Sequence, residues 1–153
     1  MPSTPEFKTI SPITFLFHRV ETTVDQLIHQ VPIGQQLFKE AVEKGLFICG
    51  PIHWHYFNFE GHHKPFTLEI SLPIKGDAAD YHGPFGFKHT EAFPCAWLTH
   101  EGRWEDIPKS YGELAAFAAS KGKVPSATAR EIYVQIDFNN QAANVTEIQL
   151  GIQ

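Results

Sequence analysis

The chain has 153 residues, 42% of them hydrophobic, enough to bury a core in one domain without disulfides or a structural metal. Its net charge is -5 and its 12 Lys and Arg are spread thinly, so there is no basic stripe to follow a phosphate backbone. Direct nucleic-acid binding is therefore not expected, and the balance favours neutral or cationic small molecules.

Met1-Pro-Ser-Thr-Pro5 is polar and no long apolar segment follows it, so a cytoplasmic protein without membrane contact is expected. Residues 1–10 read as a tail. Ile13 to Val20 is β-branched and aromatic and predicts a strand. A short segment interrupted by Pro32 follows, and then Ile33, Leu37 and Ala41, with Phe38 and Val42, predict an amphipathic helix that stops at Lys44-Gly45. Ile52 to Phe59 and Phe66 to Ile74 predict a hairpin around Glu60 to Pro65, and residues 76–92 read as a connector. Phe93 to Thr99 predicts the next strand. Asp106 as N-cap and Pro108 in the first turn open a second helix, with Ile107, Tyr111, Leu114 and Ala118 on one face and a stop at Lys121-Gly122. Arg130 to Phe138 and Asn144 to Ile152 predict a second hairpin. Cys49 and Cys95 lie in apolar runs at no paired spacing, as reduced, buried thiols do.

The second half thus repeats the first. Leu68-Glu-Ile-Ser-Leu-Pro-Ile74 matches Thr146-Glu-Ile-Gln-Leu-Gly-Ile152, each follows a Lys-Gly helix stop at nearly the same distance, and the same alignment sets Tyr56 against Tyr133. An α+β fold with halves of about 11–75 and 93–153, each strand-helix-strand-strand, is expected.

His100-Glu-Gly-Arg-Trp104, Arg130-Glu-Ile-Tyr133, Thr146 to Ile152 and Gly50-Pro51, in this order and spacing, resemble the GyrI-like small-molecule-binding domain, also called the bacterial transcription activator effector-binding domain. The resemblance covers residues 10 to 152 and implies a pseudo-twofold pair of such units, antiparallel sheets with helices on one side, and a central groove for bulky, often cationic, aromatic compounds. It implies a stand-alone member, because the helix-turn-helix domain of many relatives does not precede the first strand. Some stand-alone relatives hydrolyse strained electrophilic natural products with a groove glutamate.

Strand alternation sorts the faces independently of that resemblance. Leu68, Ile70, Leu72 and Ile74 are expected in the core, with Thr67, Glu69 and Ser71 opposite. Ile132, Val134, Ile136 and Phe138 are expected in the core, leaving Glu131, Tyr133, Gln135 and Asp137 opposite. Ile148, Leu150 and Ile152 turn inward, Glu147 and Gln149 outward. Matching Tyr56 to Tyr133 puts Trp54, Tyr56 and Asn58 on the groove face and turns His53, His55, Phe57 and Phe59 away. The expected ligand site is Trp54, Tyr56, Glu69, Trp97, Glu131, Tyr133 and Glu147, with Trp97 or Trp104 as a wall. Aromatic faces attract a flat cation and a partly desolvated carboxylate neutralises it.

If the protein is a hydrolase, Glu131 is the base and Tyr133 the acid. A third reading is a metal-dependent cupin-like enzyme, from His53-x-His55 with Glu60 and Pro84-x-Gly86-x-x-His89. The two helical segments oppose it, so neither a metal nor another cofactor is expected. His62 and His63 belong to the hairpin turn, and His100 shapes the entry to the second helix. No Gly-x-Ser-x-Gly elbow, phosphate-cradling glycine loop or Cys-x-x-Cys pair is present.

Overall fold

Two segments of alternating apolar residues, each following a helix that ends on glycine, organise two compact units of this computed structural model, which describes residues 3–76 and 80–153. Unit 1 is Met1–Ser11 with Ala92–Gln153, and unit 2 is Pro12–Glu91. Met1 and Pro2 of the expected tail and 77–79 of the expected connector lie outside the described residues.

In unit 1 the strands β1 (Glu6–Ile10), β7 (Phe93–Glu101), β9 (Val145–Ile152) and β8 (Pro125–Gln135) lie side by side in that order, all antiparallel. Helix α2 (Ile107–Ser120) covers one face of this sheet, where Ile107 and Leu114 pack on Ala96, Leu98 and Ile148. Ile107, Leu114 and Ala118 are buried as their helical spacing predicts. Asp106 precedes α2, but its side chain makes no capping bond.

Unit 2 has the same order: β6 (Gly86–His89), β2 (Thr14–Thr22), β5 (Phe66–Lys75) and β4 (His53–Phe57), with the short β3 (Phe47–Ile48) also on β5. Helix α1 (Val31–Glu43) follows a 3-10 turn at Val24–Gln30 and starts with Pro32 in its first turn. Leu37 and Ala41 are buried, whereas Phe38 and Val42, expected on the same face, are exposed. Leu16, Leu68, Ile70 and Leu72 are fully buried.

Residues 6–10 are thus a strand and not a tail, and the connector holds β6. These two strands were invisible in the periodicity because each pairs far along the chain: β1 with β7 in unit 1, β6 with β2 in unit 2. Once they are included, the units correspond residue by residue. Tyr56 stands opposite Leu68 and Tyr133 opposite Thr146; Trp54 opposite Ile70 and Glu131 opposite Ile148. Lys88 stands opposite Phe15 as Lys8 stands opposite Cys95.

Both helix ends are built alike. Gly45 at φ 70° and Gly122 at φ 71° take the left-handed conformation, and the next amides, of Leu46 and Lys123, donate back to the carbonyls of Ala41 and Ala118 at 2.8 and 2.9 Å. A Cβ at Gly122 would touch nothing, so its substitution costs backbone strain alone. Gly122→Ala is expected to lower stability by about 1 kcal/mol, read from the urea midpoint.

Candidate functional site

The site is built on the face of the unit 1 sheet that α2 covers. Cross-strand partners in an antiparallel pair share a face, so Glu131, opposite Ile148, and Tyr133, opposite Thr146, point toward α2. Glu131 is 6% exposed. One of its oxygens accepts the Tyr133 hydroxyl at 2.6 Å and the other accepts the Tyr111 hydroxyl, reaching down from α2, at 2.8 Å. Burying a carboxylate is costly unless donors meet it, and the two phenols supply them.

Aromatic rings close around this group. Trp104, on the 3-10 turn Trp104–Asp106 before α2, meets Tyr133 edge-on at 5.7 Å and Phe138 at 5.8 Å. Of the two tryptophans expected as a wall, Trp104 is the one beside Tyr133. Its Nε1 and the hydroxyl of Thr146, the residue opposite Tyr133, are buried and have no hydrogen-bond partner among the described residues. His100 braces the entry to α2: Nε2 donates to the Arg103 carbonyl at 2.9 Å, leaving Nδ1 to accept the Ser110 hydroxyl at 2.9 Å.

The expected assignment of faces needs three corrections. Glu131 and Tyr133 lie under α2, not on the face away from the helices, because a tyrosine on the helix satisfies the carboxylate. Beyond them alternation fails: β8 and β9 shift register between Tyr133 and Gln135, and Val134, Ile136 and Phe138, expected in the core, are exposed. Trp54 and Tyr56 stand opposite Ile70 and Leu68 on the apolar face of unit 2, while His53 and His55 stand opposite Ser71 and Glu69. The match of Tyr56 to Tyr133 holds, so the reversed face of Tyr133 carries over to β4 and exchanges the two sets.

Glu69, Glu131 and Glu147 consequently do not share one face. Glu147 stands opposite Ile132 and Thr99 on the side of the unit 1 sheet away from α2, the reverse of Glu131. Lys8 holds it at 2.9 Å while lying 3.7 Å over the Trp97 ring, and the Gln149 amide donates to it at 2.6 Å. Trp97 thus stacks on a lysine of its own unit. In unit 2, Glu69 is 4% exposed and carries two cations: Arg19 at 2.6 Å on one oxygen and Lys88 at 2.5 Å on the other. Lys88 also donates to His55 Nδ1 at 2.8 Å, and His55 Nε2 faces His53 Nδ1 at 3.2 Å, with Phe15 edge-on to both imidazoles. These histidines extend an ion-pair network.

The cupin-like motif does not assemble. Glu60 pairs with Lys64 at 3.7 Å with both side chains 67% exposed, and His89 Nδ1 bonds Thr14 at 2.9 Å. Among the described residues no three His, Cys, Asp or Glu side chains gather to hold a metal ion. Among the described residues no helix is long and apolar enough to cross a membrane. Cys49, expected to be buried, is exposed; Cys95 is buried, and burial pushes its thiol up to about 11. Iodoacetamide at pH 8 is therefore expected to label the native protein at Cys49 and leave Cys95 unmodified, which peptide mass mapping checks.

Tyr111 and Phe138 are the residues of this site that sequence reasoning missed. Tyr111 had a visible signal, since a tyrosine on the buried face of a helix needs a partner for its hydroxyl.

The profile of the GyrI-like small molecule binding domain matches residues 3–153. No curated protein matches the chain. Among solved structures, the C-terminal domain of EcmrR is similar over 99% of this chain and 98% of that one, with 19% identity and a TM-score of 0.78. EcmrR in its DNA complex aligns with a TM-score of 0.79 and 20% identity, and this chain spans 57% of its length. A protein called SAV2435, bound to tetraphenylphosphonium, aligns over 97% of this chain and 93% of that one with 14% identity and a TM-score of 0.63. A protein from Listeria innocua described as a hydrolase aligns over 98% of this chain and 92% of that one with 15% identity and a TM-score of 0.72.

Proposed function

This chain belongs to the GyrI-like small-molecule-binding family, and from that premise we propose that it binds or sequesters bulky aromatic cations at Glu131. The observation that carries the reading is one buried carboxylate held by the hydroxyls of Tyr111 and Tyr133, with the Trp104 and Phe138 rings beside them. Aromatic faces favour a delocalised cation, and a carboxylate in apolar surroundings attracts it more strongly than one in water. Glu69 and Glu147 are already bound to lysine or arginine, so neutralising a ligand there would break an existing pair.

Because Glu131 is nearly buried and Tyr111 covers it from α2, a bulky ligand reaches the carboxylate only when Tyr111 swings off. Tyr111→Phe removes one hydrogen bond from the closed arrangement and leaves the ring. Its affinity is expected to change by less than about fivefold, whereas loss of the carboxylate is expected to matter far more.

The test is thermal denaturation with tetraphenylphosphonium and a panel of aromatic dyes, followed by product analysis. A binder gains stability by mass action and returns each compound unchanged. A second reading, a cofactor-independent hydrolase, draws on the Glu131–Tyr133 hydrogen bond, which sets a base and a proton donor 2.6 Å apart. Turnover of a strained electrophile that Glu131→Gln abolishes would favour the hydrolase; stabilisation without consumption favours the binder.

A further inference from the structure

We infer that the face of the unit 1 sheet turned away from α2 carries a second site, for a small oxyanion of the carboxylate or phosphate kind, built on Arg130 and Gln149. The two residues stand directly opposite each other on β8 and β9, and they are 5% and 3% exposed. Among the described residues Arg130 Nε and Nη1 are buried without an acceptor, and Gln149 Oε1 is buried without a donor. Among the described residues no carboxylate pairs with this guanidinium, whose charge meets only the Phe93 ring, 4.0 Å from its centroid. A buried cation left in that state is costly, and structures normally supply a counter-ion.

The neighbours do not supply one. Burial lowers the Arg130 guanidinium to about 10, still charged at neutral pH, and raises the Cys95 thiol beside it to about 11, so that sulfur stays neutral. Glu147 is engaged by Lys8, and it also orients the amide of Gln149 by accepting from Nε2 at 2.6 Å. The amide oxygen is thereby left as an acceptor beside two unused donors of a cation.

A complementary molecule carries negative charge, at least two acceptor oxygens and one donor. A monoprotonated phosphate meets that description, and so does a 2-hydroxy carboxylate, with its carboxylate on Arg130 and its hydroxyl on Gln149. Water can bridge the same atoms but leaves the charge uncompensated. Glu131 lies on the other face of the sheet, so this site stands apart from the proposed cation site and fails or succeeds separately.

The experiment is thermal denaturation of the whole chain in sodium glycolate, formate or phosphate against sodium chloride at equal ionic strength. It is paired with a nitrogen-15 titration of the Arg130 Nε–H and Gln149 side-chain amide resonances. For millimolar affinity, about 20 mM of the preferred anion is expected to raise Tm by roughly 4 °C, with saturable shifts at both side chains. Glycolate above formate identifies a hydroxy carboxylate, and phosphate above both identifies a phosphate. Arg130→Met is expected to fold without added anion at or above the wild-type Tm and to lose the response. Equal Tm in all salts with linear, non-saturating shifts would overturn the inference, as would a response that survives Arg130→Met. Should that variant not fold, the wild-type titration decides alone.

Discussion

Glu131→Gln is expected to weaken binding of the phosphonium probe by about 10- to 100-fold, the equivalent of ~1.4–2.8 kcal/mol, measured by isothermal titration. The amide keeps the shape and one oxygen acceptor for the hydroxyls of Tyr111 and Tyr133, so the fold is retained while the negative charge is lost. Glu147→Gln is the matched control. That carboxylate faces away from α2 and is engaged by Lys8 and Gln149, so its loss is expected to change affinity less than about threefold. An effect of the same size in both variants would mean that net charge, and not the Glu131 cage, attracts the ligand.

The second large effect is on stability. Lys88→Met keeps an unbranched side chain but removes the ammonium from Glu69 and His55 and from the rings of Phe15, Phe17 and Phe57 around it. Glu69, 4% exposed, is then held by Arg19, which is itself largely in solvent. Stripping one partner from a buried pair costs about 3 kcal/mol, and for a chain of this size that is a fall in Tm of roughly 6–12 °C. Adding Glu69→Gln to Lys88→Met should restore more than half of the loss, because the uncompensated charge disappears. Lys8→Met, the corresponding change in unit 1, breaks a pair with side-chain exposures of 32% and 23% and should cost about 1 kcal/mol or less. Denaturant unfolding of the three variants distinguishes burial from mere proximity as the source of the effect.

The duplication was legible because two chain-distant segments, Leu68 to Ile74 and Thr146 to Ile152, carry the same alternating pattern after the same helix stop. Both helices were legible from apolar spacing and from Gly45 and Gly122. β1 and β6 were not. Glu6–Ile10 is mostly exposed and Gly86–His89 has only four residues, so neither carries an alternating core pattern, and both are strands through backbone pairing with a distant partner. β4 takes its reversed faces from Tyr133, to which Tyr56 was matched. In His53-Trp-His-Tyr-Phe57 both faces hold large, partly polar rings, so a period of two finds a strand and does not say which side is the core. Lys88 breaks that tie by placing His55 beside Glu69, and the lysine lies on a strand that alternation did not reveal.

Glu131 was misplaced for a chemical reason. Alternation sends a glutamate away from the helices because an unpaired carboxylate is costly in a core. Here Tyr111, on the buried face of α2, and Tyr133, on the same strand, supply hydrogen bonds that help make it tolerable. The identities of Glu131 and Tyr133 as candidates were readable in the sequence; their side of the sheet was decided by a hydroxyl one helix away.

The most direct measurement is a structure of the protein grown with the phosphonium probe at saturating concentration. The cation's rings are expected against Trp104 and Tyr133, its centre of charge near the Glu131 carboxylate, and Tyr111 displaced from its hydrogen bond. A probe seated instead on the opposite face, against Trp97 and Glu147, or one that leaves the Tyr111–Glu131 bond intact, would contradict the proposed site.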